Sequence, residues 1–266
     1  MTASDSAFQG SIPAIYDRCL GPLLFEAYAE DLAWRVAAHR PGRILETAAG
    51  TGIVTEALVR TLPEARIVAT DLNQAMLDVA AQRVRPERVT FRAADAQALP
   101  FGDGEFDAVV CQFGAMFFPD RPLAYREARR VLKSGGRFRF NVWDRLERNP
   151  VAAAVAEAVA ALFPDDPPSF LSRTPFGYFD AERIEAELRG AGFAEVEWET
   201  VRLSSRVSAR DAAIGFCHGS PLRAEIEARA PERVEEATDA AAEAVARLIE
   251  QETVQPMSAL VFSAAA

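Results

Sequence analysis

Residues 43–52, Arg-Ile-Leu-Glu-Thr-Ala-Ala-Gly-Thr-Gly, place an acid and a run of small residues in an order that suits ligand binding. A short apolar run ends at Glu46, and a turn of small residues follows before a helical pattern begins at Val54. Small side chains let backbone N–H groups approach a ligand, and the N-terminus of the helix faces it. The segment therefore predicts a strand, a turn and a helix that open a nucleotide-binding α/β unit.

A dinucleotide is one alternative ligand for such a turn. Its fingerprint, Gly-x-Gly-x-x-Gly or Ala, needs a small last residue so that the helix can pack on the strand. Counted from Ala48, that position is the large Ile53. The acid at Glu46 would repel a diphosphate but suits a cationic group such as an α-ammonium. A nicotinamide-dependent oxidoreductase is therefore the remoter alternative.

Two later segments also end in acids. Residues 65–71 predict a second strand that ends at Asp71, 21 residues beyond Gly50. An acid about 20 residues after the turn is placed to accept hydrogen bonds from both ribose hydroxyls. Asp is also a preferred N-cap, so Asp71 could cap the predicted helix over 73–84, and the two roles can coexist. A third strand begins at Val89 and leads to Asp95.

The same alternation continues to residue 143. Residues 106–113 predict a fourth strand. A helical pattern that includes Glu127 follows, and we expect that helix to stop at Gly135-Gly136, before a fifth strand over 137–143. In this order the segments resemble the class I S-adenosylmethionine-dependent methyltransferases, whose first motif is acid-x-Gly-x-Gly-x-Gly. Ala48 replaces the first glycine, a departure small enough to keep the turn if the Ala48 φ angle is negative.

The resemblance implies S-adenosyl-L-methionine as the cofactor and suggests which residues bind each part of it. Asp71 takes the ribose hydroxyls, Asp95 the adenine amino group, and the Ala96 backbone N–H a ring nitrogen, while Gln112 faces the methionine part. Glu46 is expected at the amino-acid end. The other expected cofactor-binding residues are Tyr16, Ala48, Gly50, Gly52 and Leu72.

Methyl transfer from a sulfonium needs no protein nucleophile, because holding donor and acceptor in a dry pocket supplies most of the catalysis. The sequence accordingly identifies no catalytic residue. His218 could take a proton from an acceptor hydroxyl, phenol or activated carbon, or it could be a hydrogen-bonding bystander in a loop. Phe117 and Tyr178 are further candidates for substrate contact, although the apolar cluster around Phe117 could equally pack the next helix.

The predicted fold is α/β: a Rossmann-like, seven-stranded, mostly parallel sheet with an antiparallel last strand, helices on both faces and a helical lid. An N-terminal helical cap over residues 1–40 precedes a methyltransferase domain over 41–266. Insertions at about 145–177 and 208–252 leave the carboxyl edge of the sheet, where ligands bind, and are expected to form the lid. Alternatively, these helices cover the sheet or pair two subunits.

The formal charge of −10 argues against a nucleic-acid partner. The N-terminus lacks a secretory pattern, no apolar stretch approaches the ~20 residues of a membrane span, and the Cys and His spacing fits no zinc site. We therefore expect a cytoplasmic, metal-free enzyme that methylates O, N or C of a small-molecule acceptor. A quinone or lipid acceptor is the alternative suggested by similarity to ubiquinone and menaquinone biosynthesis methyltransferases. The oligomeric state, including a homodimer, stays open.

One predicted strand does not fit its place in the sheet. Strand five alternates charged and apolar residues, whereas a strand covered on both faces should be apolar throughout. Arg139 must therefore reach an edge, water or a carboxylate.

Overall fold

The computed structural model describes residues 10, 12–84, 87–250 and 252–266. The chain divides into two compact units. The first contains the described residues of 1–27 together with 143–178 and 202–258, and the second contains 28–142, 179–201 and 259–266. Each unit therefore draws on segments that are distant in sequence.

Seven strands form one sheet in the order β3-β2-β1-β4-β5-β7-β6. Their bounds are β1 Arg43–Glu46, β2 Arg66–Asp71, β3 Val89–Ala93, β4 Phe106–Gln112, β5 Leu132–Trp143, β6 Glu195–Arg206 and β7 Val254–Ala265. Strands β3, β2, β1, β4 and β5 pair in parallel. The fully buried residues of β1, β2 and β4 are largely apolar, as expected for strands covered on both faces.

The last strand is antiparallel, as predicted. The Gly135 N–H donates to the Ala266 carbonyl, and the Asp144 N–H donates to the Ser258 carbonyl. Residue numbers therefore rise along β5 while those of the bonded residues of β7 fall, as in an antiparallel pair. The Val207 N–H likewise donates to the Thr253 carbonyl beside β6. Strand β7 is longer than the predicted segment 257–262, and it lies between β5 and β6.

The helices alternate with the parallel strands and then accumulate late in the chain. Their bounds are α1 Ile12–Ile15, a π-helical segment Tyr16–Phe25, α2 Glu26–Ala37, α3 Ile53–Thr61, α4 Gln74–Arg83, α5 Arg121–Val131, α6 Pro150–Ala161, α7 Phe170–Arg173, α8 Ala181–Gly190, α9 Ala209–His218, α10 Leu222–Arg229 and α11 Val234–Ile249. No helix in the described part of the chain is both long enough and apolar enough to span a bilayer.

In the second unit, one face of β5 packs into an aromatic cluster. Phe138 and Phe140 stack with ring centroids 4.7 Å apart, and Phe140 stacks on Phe262 of β7 at 4.9 Å. Tyr125 of α5 contacts both β5 rings. Such pairs add to the energy of area burial, so this cluster fixes α5 and β7 against β5.

In the first unit, α11 packs against α6 and α9, and α9 packs against the π-helical segment. Gly215 permits the second contact, because an added Cβ would lie 2.5 Å from Leu20 Cδ2. The buried side chain of Asn149 accepts a hydrogen bond from the Ser258 N–H and donates one to the Ser258 carbonyl. It therefore bonds the start of α6 to β7 as a strand residue would.

The structure corrects the predicted role of the glycine pair. Helix α5 ends at Val131, and Gly135 and Gly136 lie inside β5 instead of ending the helix. Leu132 pairs with Phe106 and Arg137 with Ala108, so β5 advances five residues while β4 advances two. The extra residues form a bulge, which Gly135 allows by adopting φ +77°.

Candidate functional site

The parallel pairing brings four strand tips to one edge of the sheet. Glu46 ends β1, Asp71 ends β2, and Gln112 ends β4, while Asp95 follows two residues after β3. Register pairs such as Glu46 with Val110 and Asp71 with Ala93 fix these ends side by side. All four polar residues belong to the second unit.

Ala48 adopts a left-handed conformation, with φ +52°. The condition of a negative φ is therefore not met, yet the turn keeps the shape that a glycine would adopt freely. The strain is tolerated because the neighbouring residue is Gly114, where an added Cβ would lie 2.4 Å from the Ala48 Cβ. Gly114 thus provides the space for the methyl group that replaces the first glycine of the motif.

The rest of the turn has features of a ligand cradle. Gly50 has φ +55°, and a Cβ added there would meet nothing within 4 Å. Gly52 is packed instead, since a Cβ there would lie 2.9 Å from the Ala80 Cβ of α4. Thr51 is 1% exposed, and its hydroxyl has no hydrogen-bond partner among the described residues. An open glycine beside an orphaned hydroxyl leaves room and bonding capacity for a polar ligand.

Glu46 is almost completely buried, with 1% of its surface exposed. The Thr55 hydroxyl donates to its Oε2 at 2.6 Å. Burial raises the pKa of Glu46 to about 8, against the opposing effect of the Thr55 hydrogen bond, and the Asp71 charge raises the pKa further. A cationic ligand group would favour the ionised carboxylate.

Asp71 ties the turn to the start of α4. Its Oδ2 accepts the Gly50 N–H at 2.9 Å, and its Oδ1 accepts the Asn73 N–H at 2.8 Å. Burial raises the pKa of Asp71, although these backbone hydrogen bonds oppose the shift. The N-cap of α4 is Asn73, so Asp71 is not the cap. An ionised carboxylate has about four acceptor positions, which leaves capacity for ribose hydroxyls.

Asp95 lies in a half-buried turn with Ala96. Its Oδ1 accepts the Gln97 N–H at 2.8 Å, and the Gln97 side-chain amide lies 3.2 and 3.3 Å from the two oxygens. The Gln97 Oε1 accepts the Asp120 N–H, which holds this amide in place. Leu72, beyond the tip of β2, is 62% exposed, an unusual state for a leucine that follows a buried strand.

Asn141 of β5 positions the tip of β4. Its Oδ1 accepts the Phe113 N–H at 3.0 Å, and its Nδ2 lies 3.5 Å from Gln112 Oε1. Phe113 has φ +49°, a second left-handed non-glycine residue at this edge. Burial raises the pKa of the Cys111 thiol to about 12, which keeps it a protonated core group. Phe117 ends the short helix Ala115–Phe117 that follows.

Three predicted site residues lie in the first unit. Tyr16 begins the π-helical segment that precedes α2, and it stacks on Phe25 with ring centroids 4.9 Å apart. Tyr178 is buried. His218 ends α9, so it does not lie in the predicted loop. The lid role of the segments that carry these residues stays a prediction.

His218 contacts α11, with Nε2 2.9 Å from the Thr238 hydroxyl and 3.6 Å from a Glu235 carboxylate oxygen. Burial lowers the pKa of His218, and the Glu235 charge opposes that shift. The lowered pKa favours the neutral form of the imidazole.

The sequence prediction did not include Thr51, Thr55, Gln97, Gly114 or Asn141. Thr51 and Thr55 follow the motif directly, so their place in the turn was the available signal. Asn141 and Gly114 act on residues of other elements, and no local pattern marks them.

The strand order with an antiparallel β7 beside β5, and the acids at adjacent strand tips, define a Rossmann-like methyltransferase fold. Residues 45–140 match the family model of a methyltransferase domain. A demethylmenaquinone methyltransferase of Clavibacter sepedonicus is 35% identical over 211 residues, 72% of this chain and 83% of that protein.

Two further similarities extend this comparison. A ubiquinone/menaquinone biosynthesis C-methyltransferase UbiE of Methylobacterium nodulans is 43% identical over 110 residues, which are 40% of this chain and 44% of that protein. The solved structure of phosphoethanolamine N-methyltransferase 2 of Haemonchus contortus, in complex with phosphomonomethylethanolamine and S-adenosylhomocysteine, has a TM-score of 0.62 at 18% identity, covering 95% of this chain and 56% of that one. At that identity it shows the fold alone.

The chain belongs to the class I S-adenosylmethionine-dependent methyltransferases. This membership decides against the nicotinamide-dependent alternative.

Proposed function

We propose that this methyltransferase binds S-adenosylmethionine along the carboxyl edge of its sheet and methylates a quinone-type small molecule. The cofactor part rests on the residues of the second unit, and the acceptor part on similarity to the demethylmenaquinone methyltransferase. The two parts can fail separately, so each has its own experiment.

The side chains at the carboxyl edge of the sheet offer a complementary group to each part of the cofactor. Asp71 would accept the ribose hydroxyls, Asp95 the adenine amino group, and Glu46 the cationic end of the amino acid. Leu72 offers an apolar surface for a base, and Gly50 and Thr51 offer open space and a free hydroxyl. Ala48, Gly52 and Ala96 shape the backbone, and Gln112 is held by Asn141. The bound cofactor supplies an electrophilic methyl group on a sulfonium.

The cofactor part is tested by titrating S-adenosylhomocysteine into the wild type and into Asp71→Asn by calorimetry. The variant replaces an acceptor by an amide that cannot accept both backbone hydrogen bonds and ribose hydroxyls. We expect at least a hundredfold weaker binding. Asp78→Asn, an exposed acid on α4, is the matched control and should bind as the wild type does. Equal affinities for the wild type and Asp71→Asn would contradict the assignment.

The acceptor part is tested by turnover. A reduced, short-chain demethylmenaquinone should yield S-adenosylhomocysteine and a ring-methylated product, because loss of a hydroxyl proton makes the ring carbon nucleophilic. His218 is our candidate for accepting this proton, and His218→Gln should lower kcat more than KM. Tyr16, Phe117 and Tyr178 remain candidate ligand contacts. If the wild type binds S-adenosylhomocysteine but leaves the quinol unchanged, the acceptor proposal fails and the cofactor site stands.

A further inference from the structure

A cavity of about 310 Å³ lies at the opposite, amino edge of the sheet. Its walls are Val36 of α2, residues 39–42 between α2 and β1, Asp107 and Ala108 of β4, and residues 133–137 and 139 of β5. All of these belong to the second unit. The lining residue furthest along β5, Arg139, pairs with Val110, two residues before Gln112 at the carboxyl edge.

The cavity is cationic in a chain whose formal net charge is −10. Arg40, Lys133, Arg137 and Arg139 line it with His39, and Asp107 is its acid. That carboxylate is already engaged, because Lys133 Nζ lies 2.7 Å from one oxygen and the Gly42 and Arg43 N–H groups donate to the other. Lys133 is therefore paired with Asp107, and Arg40, Arg137 and Arg139 supply the remaining positive charge for a ligand.

In the described part of the chain, Arg139 has fewer bonding partners than Lys133 or Arg137. Among the described residues, it makes no hydrogen bond or ion pair within the distances that such bonds require. Arg137 has a weak partner, Glu195 at 3.5 Å, on the exposed strand β6. Burial and the charges of Arg137 and Arg35 lower the pKa of Arg139, and Glu197 only partly opposes them. Arg35 is itself paired with Asp31 and Glu199, so the repulsion on the half-buried Arg139 guanidinium comes chiefly from Arg137.

The positive charge of the cavity also affects the pKa of the neighbouring His39. Burial lowers the pKa of His39, and the charges of Arg139 and Arg137 lower it further. This differs from a simple helix-end histidine, whose proton the helix dipole would favour. The arrangement stores repulsion that a bound anion would relieve.

We propose that this cavity binds a small, phosphate-bearing molecule. Planar guanidinium groups match phosphate oxygens in pairs, and they keep their charge at every physiological pH. The volume lies at the lower end of the range of ligand pockets, so it suits a compact metabolite. The concave shape and the acidic character of the whole chain disfavour a nucleic acid or a lipid surface. The inference is independent of the acceptor proposed above.

Pyrophosphate is the probe for a direct test by calorimetry. We expect the wild type to bind it and Arg139→Gln to bind it at least tenfold more weakly, with the affinity falling as salt rises. Arg137→Gln is a second variant in case the first does not fold. Arg126→Gln, which removes an exposed arginine from α5, is the matched control and should leave the affinity unchanged.

Three outcomes would overturn the proposal. Absence of any heat of pyrophosphate binding to the wild type would refute the site outright. Equal affinity for citrate would show that the cavity senses charge and not phosphate. Binding to anionic phospholipid vesicles without binding to pyrophosphate would identify a lipid surface instead.

A second readout uses the two histidines of the chain. In NMR titrations, saturation with pyrophosphate should raise the pKa of His39 and leave that of His218 unchanged, with His218→Gln used for assignment. The charged groups that line the cavity with His39 are Arg40 on its own segment, Asp107 on β4, and Lys133, Arg137 and Arg139 on β5, while Glu197 of β6 acts on Arg139. An unmoved His39 would place the anion elsewhere and refute the site.

Discussion

Burying a carboxyl group such as Glu46 destabilises the protein whenever that group is ionised. Its pKa is about 8 in the folded chain and 4.5 ordinarily, so the folded state binds the extra proton between these values. The protonated group therefore contributes stability that is fully present below pH ~4.5 and is lost as pH rises through about 8. The carboxylate regains a favourable partner only when a cation binds.

Replacing Glu46 with Gln should change the pH dependence of both stability and binding. Without cofactor, the Tm of Glu46→Gln should exceed that of the wild type at pH 9 by more than at pH 6. Affinity for S-adenosylhomocysteine should be about tenfold below the wild type at pH 8, with a smaller deficit at pH 6, since ionising the group costs about 1.4 kcal/mol per pH unit. Calorimetry and thermal unfolding measure both effects.

The control for this prediction is Glu56→Gln, a more exposed acid on α3 that pairs with Arg83. Its pH profiles should follow those of the wild type. Parallel profiles for Glu46→Gln and the wild type would show that Glu46 does not couple to the ligand or to folding.

At the scale of elements, two turns fit together through Ala48 and Gly114. Gly114→Ala should destabilise the protein by about 2 kcal/mol, because the new Cβ would overlap the Ala48 methyl group and lie 2.8 Å from Cys111 Sγ. Ala48→Gly relieves left-handed strain of about 1 kcal/mol, which the greater freedom of the unfolded chain partly offsets. The double variant should recover about 1 kcal/mol of the Gly114→Ala cost.

Urea unfolding of the two single variants and the double variant measures this coupling. Gly190→Ala, at the end of α8, is the matched control, because a Cβ added there meets nothing within 4 Å. Its effect should add independently to that of Ala48→Gly. Additive free energies for Ala48→Gly and Gly114→Ala would mean that the turns adjust separately.

Local sequence patterns predicted the elements for which a segment favours a single structure, and they failed where a segment fits two structures equally well. Strand tips at Glu46 and Asp71 were predictable because an apolar run ends in an acid at each. Gly135-Gly136 was assigned to a helix end, although glycine permits a bulge equally well. The π-helical segment at Tyr16 carries apolar residues at spacings that an α-helix also shows. Asn141 joins the site through tertiary pairing, which no single segment encodes.

At the scale of the whole molecule, the chain carries a formal charge of −10, and a small cationic cavity lies in its second unit. Surface charges act over about 8 Å at physiological salt, so an extended polyanion would meet mostly repulsion. We expect no measurable binding of fluorescein-labelled tRNA or duplex DNA at about 0.15 M salt in anisotropy titrations. Micromolar binding that weakens with salt would contradict this, and lysozyme serves as the basic positive control.

Strand β5 spans both edges of the sheet within a few residues. Arg139 lines the cationic cavity, and Asn141, two residues further on the same side of the strand, orients Gln112. The separation along the strand is only about 7 Å. Occupants of the two edges would therefore share one short piece of backbone. If either occupant prefers a displaced β5, reciprocity requires that each alter the affinity for the other by the same factor.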